Sequence, residues 1–151
     1  MSEKRTIITH SPQETIDLGT VIGRQLHGGE ILAIVGPLGS GKTHLIKGVA
    51  VGAGATDNSV VNSPTFVLVN QYAGRFDLYH IDAYRIESTD EFEMLGFDDL
   101  CYPESVVLIE WADKVETTLK DLDPIRIDLS HAGKTSREIH IDNSPEYFQV
   151  R

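Results

Sequence analysis

The sequence predicts an α/β fold: a mixed sheet with a β-hairpin inserted centrally in the chain and helices on both faces. Three observations predict it. The apolar run Ile31-Leu32-Ala33-Ile34-Val35 leads directly into the octet Gly36-Pro37-Leu38-Gly39-Ser40-Gly41-Lys42-Thr43, after which apolar residues recur at helical spacing. Further on, two β-rich runs are separated by a glycine-containing junction, as in a hairpin. A later run, Val106-Val107-Leu108-Ile109, is continuously apolar, the pattern of a short strand covered on both faces. At 151 residues the chain has the length of one domain, 1–151, enough for a proper core and too little for a separate substrate domain.

Taken in order, residues 5–10 alternate Thr6, Ile8 and His10 against Ile7 and Thr9, and read as a short strand. A helix follows with a clear start signal: Ser11 as N-cap, Pro12 at the first helical position, and Glu14 three residues after Ser11 as in a capping box. Leu18, Ile22 and Leu26 fall four apart on one face until His27-Gly28-Gly29 ends it. The strand 31–35, the octet and a second helix with Leu45, Ile46, Val49 and Ala50 on its apolar side come next, the helix ending near Gly52-Ala53-Gly54. Residues 56–62 read as a polar stretch. The runs 66–72 and 75–81 form the hairpin across Ala73-Gly74, and residues 90–97 suggest a short amphipathic helix with Phe92, Leu95 and Gly96 inward. Strands at 106–109, 125–129 and 139–141 complete the sheet, the last two joined by a polar loop over 131–137.

Thirteen Lys plus Arg against 23 Asp plus Glu give a formal charge of −10, which argues against holding a nucleic-acid backbone unaided and so against a DNA partner. An acidic surface favours protein partners or small ligands. With the single cysteine Cys101 there is no internal disulfide, the N-terminus lacks the apolar core of a signal peptide, and no run approaches the roughly 18 apolar residues of a membrane span. The expectation is a reduced, cytoplasmic, soluble protein with no membrane partner.

The octet is a complete G-x-x-x-x-G-K-[ST] phosphate-binding loop in the expected strand-to-helix context, which makes the fold P-loop NTPase-like. In such a loop the glycines turn backbone N–H groups toward phosphates, Lys42 reaches the β and γ phosphates, and the Thr43 hydroxyl holds Mg²⁺. A second acid is needed for the metal or its water shell. Glu110 follows four apolar residues where a Walker B acid belongs, and could ligate the metal, reach it through water, or orient the attacking water; the alternative is an ordinary strand-end carboxylate. Asp82, within His80-Ile81-Asp82-Ala83-Tyr84-Arg85, is the other candidate, with a turn cap as its alternative. Taken singly, Trp111 reads as packing, Thr65 as a threonine after proline, His80 as a strand hydrogen bond or a proton shuttle, and Cys101 as an indifferent thiol. No zinc-ligand spacing occurs, and the Asn-Lys-x-Asp guanine signature is missing, which favours ATP.

In combination these motifs resemble the bacterial TsaE (YjeE) family, the small P-loop ATPase of tRNA threonylcarbamoyladenosine synthesis. The resemblance covers nearly the whole chain: residues 36–43, then Ser63-Pro64-Thr65-Phe66, then His80-x-Asp82-x-Tyr84-Arg85, then Leu108-Ile109-Glu110-Trp111. It implies ATP binding with Mg²⁺ and slow, partner-dependent hydrolysis. TsaB and TsaD would be the partners, tRNA being met mainly through them, in forming the threonylcarbamoyl group on N6 of adenosine 37 in tRNAs that read codons beginning with A. The implied catalytic residues are Lys42, Asp82 and Glu110, with Thr43, Asp82 and Glu110 serving the metal. The implied nucleotide contacts are Gly36, Gly39, Ser40, Gly41, Lys42, Thr43, His44 and Trp111, and an adenine pocket by Ser11, Ser136 and Arg137. Thr65 becomes a switch-like candidate.

Two positions depart from the family pattern. Many members carry Asp where this chain has Pro37, and a second Thr where it has His44. The alternatives from other classes are a P-loop small-molecule or nucleotide kinase and a nucleotide-gated binding module with little catalysis. A kinase would need a basic lid, yet only Arg75 and Arg85 are basic between Lys47 and Lys114.

Overall fold

A computed structural model describes residues 3–55, 57–61 and 68–149. Its described strands are β1 (Glu3–Thr9), β2 (Ile31–Val35), β3 (Asp57–Val61), β4 (Leu68–Ala73), β5 (Asp77–Asp82), β6 (Ser105–Glu110), β7 (Ile125–His131) and β8 (Arg137–Ser144). The α-helices are α1 (Pro12–Arg24), α2 (Lys42–Gly52), α3 (Thr89–Met94), α4 (Phe97–Leu100) and α5 (Glu116–Leu119). The strands form one sheet in the order β1-β8-β7-β2-β6-β5-β4-β3. The middle block β7-β2-β6-β5 is parallel, and the flanking pairs are antiparallel. The sheet is therefore mixed, as expected. The hairpin is central in the chain but lies to one side of the sheet.

Alternation along the strands sorts the core into two layers, because successive side chains leave a strand on opposite faces. Leu32 and Ile34, Leu78, Val106 and Leu108, and Ile125, Ile127 and Leu129 face α1 and α2. Ile31 and Ala33, Tyr79 and Ile81, and Val107 and Ile109 face α3, α4 and the segment around Val115 and Leu119. Every residue of β6 is buried, in agreement with its continuous apolar run.

Helices α1 and α2 approach each other through reciprocal glycines. A Cβ on Gly19 would stand 2.3 Å from the Leu45 carbonyl oxygen and one on Gly23 2.2 Å from that of Val49. On the other helix, a Cβ on Gly48 would stand 2.0 Å from the Ile16 carbonyl oxygen and one on Gly52 2.1 Å from that of Thr20. Small residues four apart on both helices let the two backbones touch, the device better known from membrane helices. The close approach carries the first turns of both helices to the same end of the sheet.

Several boundaries differ from the sequence reading. Ser11 caps α1 by accepting from the Glu14 N–H at 3.1 Å, with Pro12 at the first position, but the Glu14 carboxylate accepts from the His10 N–H rather than from Ser11. The helix stops at Arg24 instead of running to His27. There the Glu30 carboxylate accepts from the N–H groups of His27 and Gly28 at 2.7 Å each and turns the chain, while Leu26 still packs in the core. The hairpin turn comprises residues 74–76, not Ala73-Gly74, because Ala73 pairs with Asp77. Arg75 at its tip donates to the carbonyls of Gly52, Gly23 and Arg24, and so satisfies the C-terminal ends of both long helices. Part of the polar stretch is a strand, β3, at the edge of the sheet. The short helix begins at Thr89 behind the cap Ser88, and Phe97 opens a further turn of helix with its side chain buried. Residues 63–66, including Thr65, lie outside the described residues.

Candidate functional site

Strand β2 sits in the middle of the sheet, so the loop that follows it opens at the C-terminal end of the parallel block, where ligands of open α/β sheets bind. Two loop glycines take up left-handed backbone conformations that residues with a Cβ rarely adopt, Gly39 at φ 76° and Gly41 at φ 100°. Gly36 is required for a different reason: a Cβ there would stand 2.5 Å from Ser40 Oγ and 2.6 Å from the Leu129 carbonyl oxygen. The Ser40 hydroxyl is fully buried and has no hydrogen-bond partner among the described residues. Lys42, at the first turn of α2, donates from Nζ to the carbonyls of Gly36 at 2.6 Å and Pro37 at 2.9 Å. Burial lowers the Lys42 pKa, and the nearby charges of Glu110, Asp113 and Asp82 act against that shift.

The two predicted acids end neighbouring strands. In the parallel register of β5 and β6, Asp82 pairs with Glu110, and both belong to the sheet face covered by α2. That face is where Thr43 points down from the helix, and its Oγ1 stands 3.5 Å from Glu110 Oε2. Glu110 Oε1 lies 3.0 Å from His80 Nε2. Asp82 accepts from the Tyr84 N–H at 3.0 Å, so it also makes the turn cap that was its alternative reading.

Trp111 adopts the left-handed conformation, φ 62°, directly after the strand. Bulky residues rarely take this conformation, and here it swings the indole over the loop, with Lys42 Nζ 3.8 Å from the ring centroid. Tyr84 packs against the same indole at 4.9 Å between centroids. The residues from Leu38 to His44 enclose, with Glu110 and Trp111, a cavity of about 200 Å³. Pro37 and His44, the two departures, are both exposed, and His44 lines this cavity while the Pro37 carbonyl accepts from Lys42 Nζ and from the Ser40 N–H.

The outlying residues gather at a second side of the loop. Thr9 at the end of β1 pairs with Arg137 at the start of β8, which brings Ser11 and the Ser136-Arg137 pair to one edge. Arg137 Nη2 donates to the Gly39 carbonyl at 3.1 Å. The Ser11 hydroxyl is taken by its helix cap, and none of Ser11, Ser136 and Arg137 lines the cavity over Lys42. Sequence reasoning passed over Asp113, whose charge reaches Lys42, and Thr15, whose methyl lies 3.7 Å from the position of a Cβ on Gly41. Thr15 had a signal, since it lies one turn inside the capped helix. Asp113 had none.

The donor set suits an anion beside a hard cation: glycine backbone, a buried ammonium, one hydroxyl and two strand-end carboxylates. Among the described residues no group of three or more His, Cys, Asp or Glu is arranged to hold a metal alone. That is compatible with magnesium, which commonly takes one or two carboxylates and completes its shell with phosphate and water. Among the described residues no helix is long and apolar enough to cross a membrane.

Comparison with known proteins identifies a family and a fold. The family model described as "Threonylcarbamoyl adenosine biosynthesis protein TsaE" matches residues 9–139. The chain is 37% identical over 134 residues to the tRNA threonylcarbamoyladenosine biosynthesis protein TsaE of Treponema pallidum (strain Nichols), covering 89% of this chain and 97% of that one. It is 39% identical over 132 residues to the protein of the same name from Bacillus subtilis (strain 168), covering 87% and 80% respectively. Its fold is similar to the crystal structure of YdiB from Bacillus subtilis, with a TM-score of 0.73 at 28% identity over 98% of this chain and 90% of the other.

Proposed function

The chain belongs to the TsaE family of threonylcarbamoyl adenosine biosynthesis proteins, and we propose that it is the ATP-binding and ATP-hydrolysing subunit that drives formation of threonylcarbamoyl on N6 of adenosine 37 in tRNAs reading codons beginning with A. It acts in the cytoplasm with TsaB and TsaD, and meets tRNA mainly through them. The observation that carries this reading is the approach of Thr43 Oγ1 to Glu110 Oε2 beneath a complete phosphate loop. Such a pairing joins a metal-holding hydroxyl to a strand-end acid.

The roles follow from the chemistry of each group. Lys42 and the backbone of the loop receive the β and γ phosphates, and burial of the ammonium strengthens its attraction for them. Thr43, Glu110 and Asp82 would hold Mg²⁺, which when bound would supply positive charge against the phosphates. Glu110 orders the attacking water and takes up its proton. Trp111 covers the loop and limits its access to bulk water. Ser11, Ser136 and Arg137 border the nucleotide at the β1–β8 edge.

Transfer to water rather than to a metabolite is supported by the scarcity of lid cations: of the two arginines between Lys47 and Lys114, Arg75 is committed elsewhere, which leaves Arg85 alone. A kinase lid needs free cations, and Arg75 is bound to three helix-end carbonyls. The deciding experiment measures phosphate release from ATP by the chain alone and with TsaB and TsaD. We expect release that depends on Mg²⁺, rises with the partners, and is lost with Lys42→Ala. Absence of nucleotide binding in every assembly, or labelled phosphate passing to a metabolite, would sink the reading.

A further inference from the structure

Glu110 has a partner that the reaction above leaves unused. His80 stands two residues before Asp82 on β5, so both leave the strand on the same face. Because Asp82 is the register partner of Glu110, that is also the face of Glu110. The His80 Nε2 to Glu110 Oε1 distance is 3.0 Å, and the two side chains retain only 13% and 11% of their exposure. With the carboxylate ionised, Glu110 has no hydrogen to donate, so the Nε2–H of His80 is the donor and Glu110 Oε1 the acceptor. The other carboxylate oxygen is the one that meets Thr43.

A glutamate side chain has several rotatable bonds and gains entropy when free. A loose Glu110 would sweep past Lys42, whose ammonium already feels its charge. We propose that His80 is a positioning residue: by holding Oε1 it fixes the carboxylate plane so that Oε2 is presented to Thr43 and to the ligand side of the loop. This rests on the reading of Glu110 as the acid that serves metal and water. It parallels the outer-shell partners that orient ligating groups elsewhere, whose loss costs about 10–100-fold in activity or affinity for the metal.

The test compares His80→Phe, which keeps a ring of similar size without a donor, with His80→Gln, whose amide N–H reaches about as far as Nε2. In the complex with TsaB and TsaD, His80→Phe should lose about 10–100-fold in kcat with unchanged Kd for ADP, and His80→Gln should recover most of the loss. A second readout needs no turnover: the ¹⁵N signals of the His80 ring in the free protein should report an Nε2-protonated ring that changes on Glu110→Ala. Wild-type turnover by His80→Phe, a parallel loss of ADP affinity and melting temperature with no rescue by Gln, or a ring spectrum indifferent to Glu110→Ala would each overturn the proposal. If the wild-type complex releases no phosphate, the ATPase reading fails, and the ring spectrum alone decides whether His80 holds the carboxylate.

Discussion

Arg137 and Gly39, 98 residues apart in the chain, are joined by a hydrogen bond from Nη2 to the glycine carbonyl, which ties the β7–β8 turn to the phosphate loop. Further bonds from Nη1 to the carbonyls of Gly133, Lys134 and Ser136 brace the same guanidinium against its own turn. Replacing it with alanine should weaken nucleotide binding about fivefold, the equivalent of one hydrogen bond of about 1 kcal/mol at a partly exposed site. Lysine should not restore it, since one ammonium lacks the planar fork. Titration calorimetry with ADP checks this; equal affinity in all three proteins would detach the turn from the site.

Glu110→Gln keeps the shape of the side chain and removes its charge. Turnover should fall by about 100-fold or more while nucleotide is still bound. The change also reaches Lys42. Burial lowers the lysine pKa and Glu110 is the largest charge acting against it, so removal of that charge lowers it further. A cationic Lys42 is lost as pH rises through its pKa. The alkaline loss of ADP affinity should therefore begin at lower pH in Glu110→Gln than in wild type, as a pH series of binding isotherms will tell.

Gly48→Ala tests the helix contact. On an exposed helix face the change would add about 1 kcal/mol of stability through helix propensity. Here the new methyl meets the Ile16 carbonyl oxygen at 2.0 Å, and backbone cannot yield as a side-chain end can. A clash with backbone at that distance belongs at the upper end of the roughly 1–3 kcal/mol range for overpacking, and should outweigh the propensity gain by about 1–2 kcal/mol. The melting temperature should fall by several degrees, roughly 2–4 °C per kcal/mol for a chain of this size. A rise in melting temperature would mean that α1 and α2 separate without cost.

Cys101 should be a poor nucleophile. Burial first, and then the charge of Asp98, push its thiol up to about 11. Only the thiolate attacks alkylating reagents, so the native protein should react slowly at neutral pH and its rate should keep rising to about pH 11. Denatured chain should level off near the ordinary thiol value of about 8.5. The measurement is the rate of iodoacetamide labelling against pH, read by mass spectrometry.

Where one segment holds all the information that a structure needs, the sequence was legible. The run from Ile31 through Thr43 into α2 is such a segment: β-branched strand, glycines at left-handed positions and a helix with one apolar side are all local properties. The cap of α1 by Ser11 and the burial of β6 on both faces are equally local. Strand β3 was missed because Asp57, Asn58 and Ser59 carry no alternation of their own. It is a strand through pairing with β4, a property of the neighbour. The three-residue turn at 74–76 was misplaced by the same cause, since register is set across the hairpin.

The sequence by itself thus determined the chemistry available: a phosphate loop with Lys42 and Thr43, acids at the ends of two strands, a lone tryptophan beside one of them, and a family. Tertiary structure alone decided which groups meet. His80 meets Glu110 because parallel register puts Asp82 opposite Glu110 and strand periodicity puts His80 on the same face. Arg137 meets Gly39 because β8 lies between β1 and β7, and Trp111 covers Lys42 because its backbone turns left-handed after β6. Residue types are encoded one position at a time, whereas distances between them depend on strand order and helix approach, which arise only when the whole sheet is assembled.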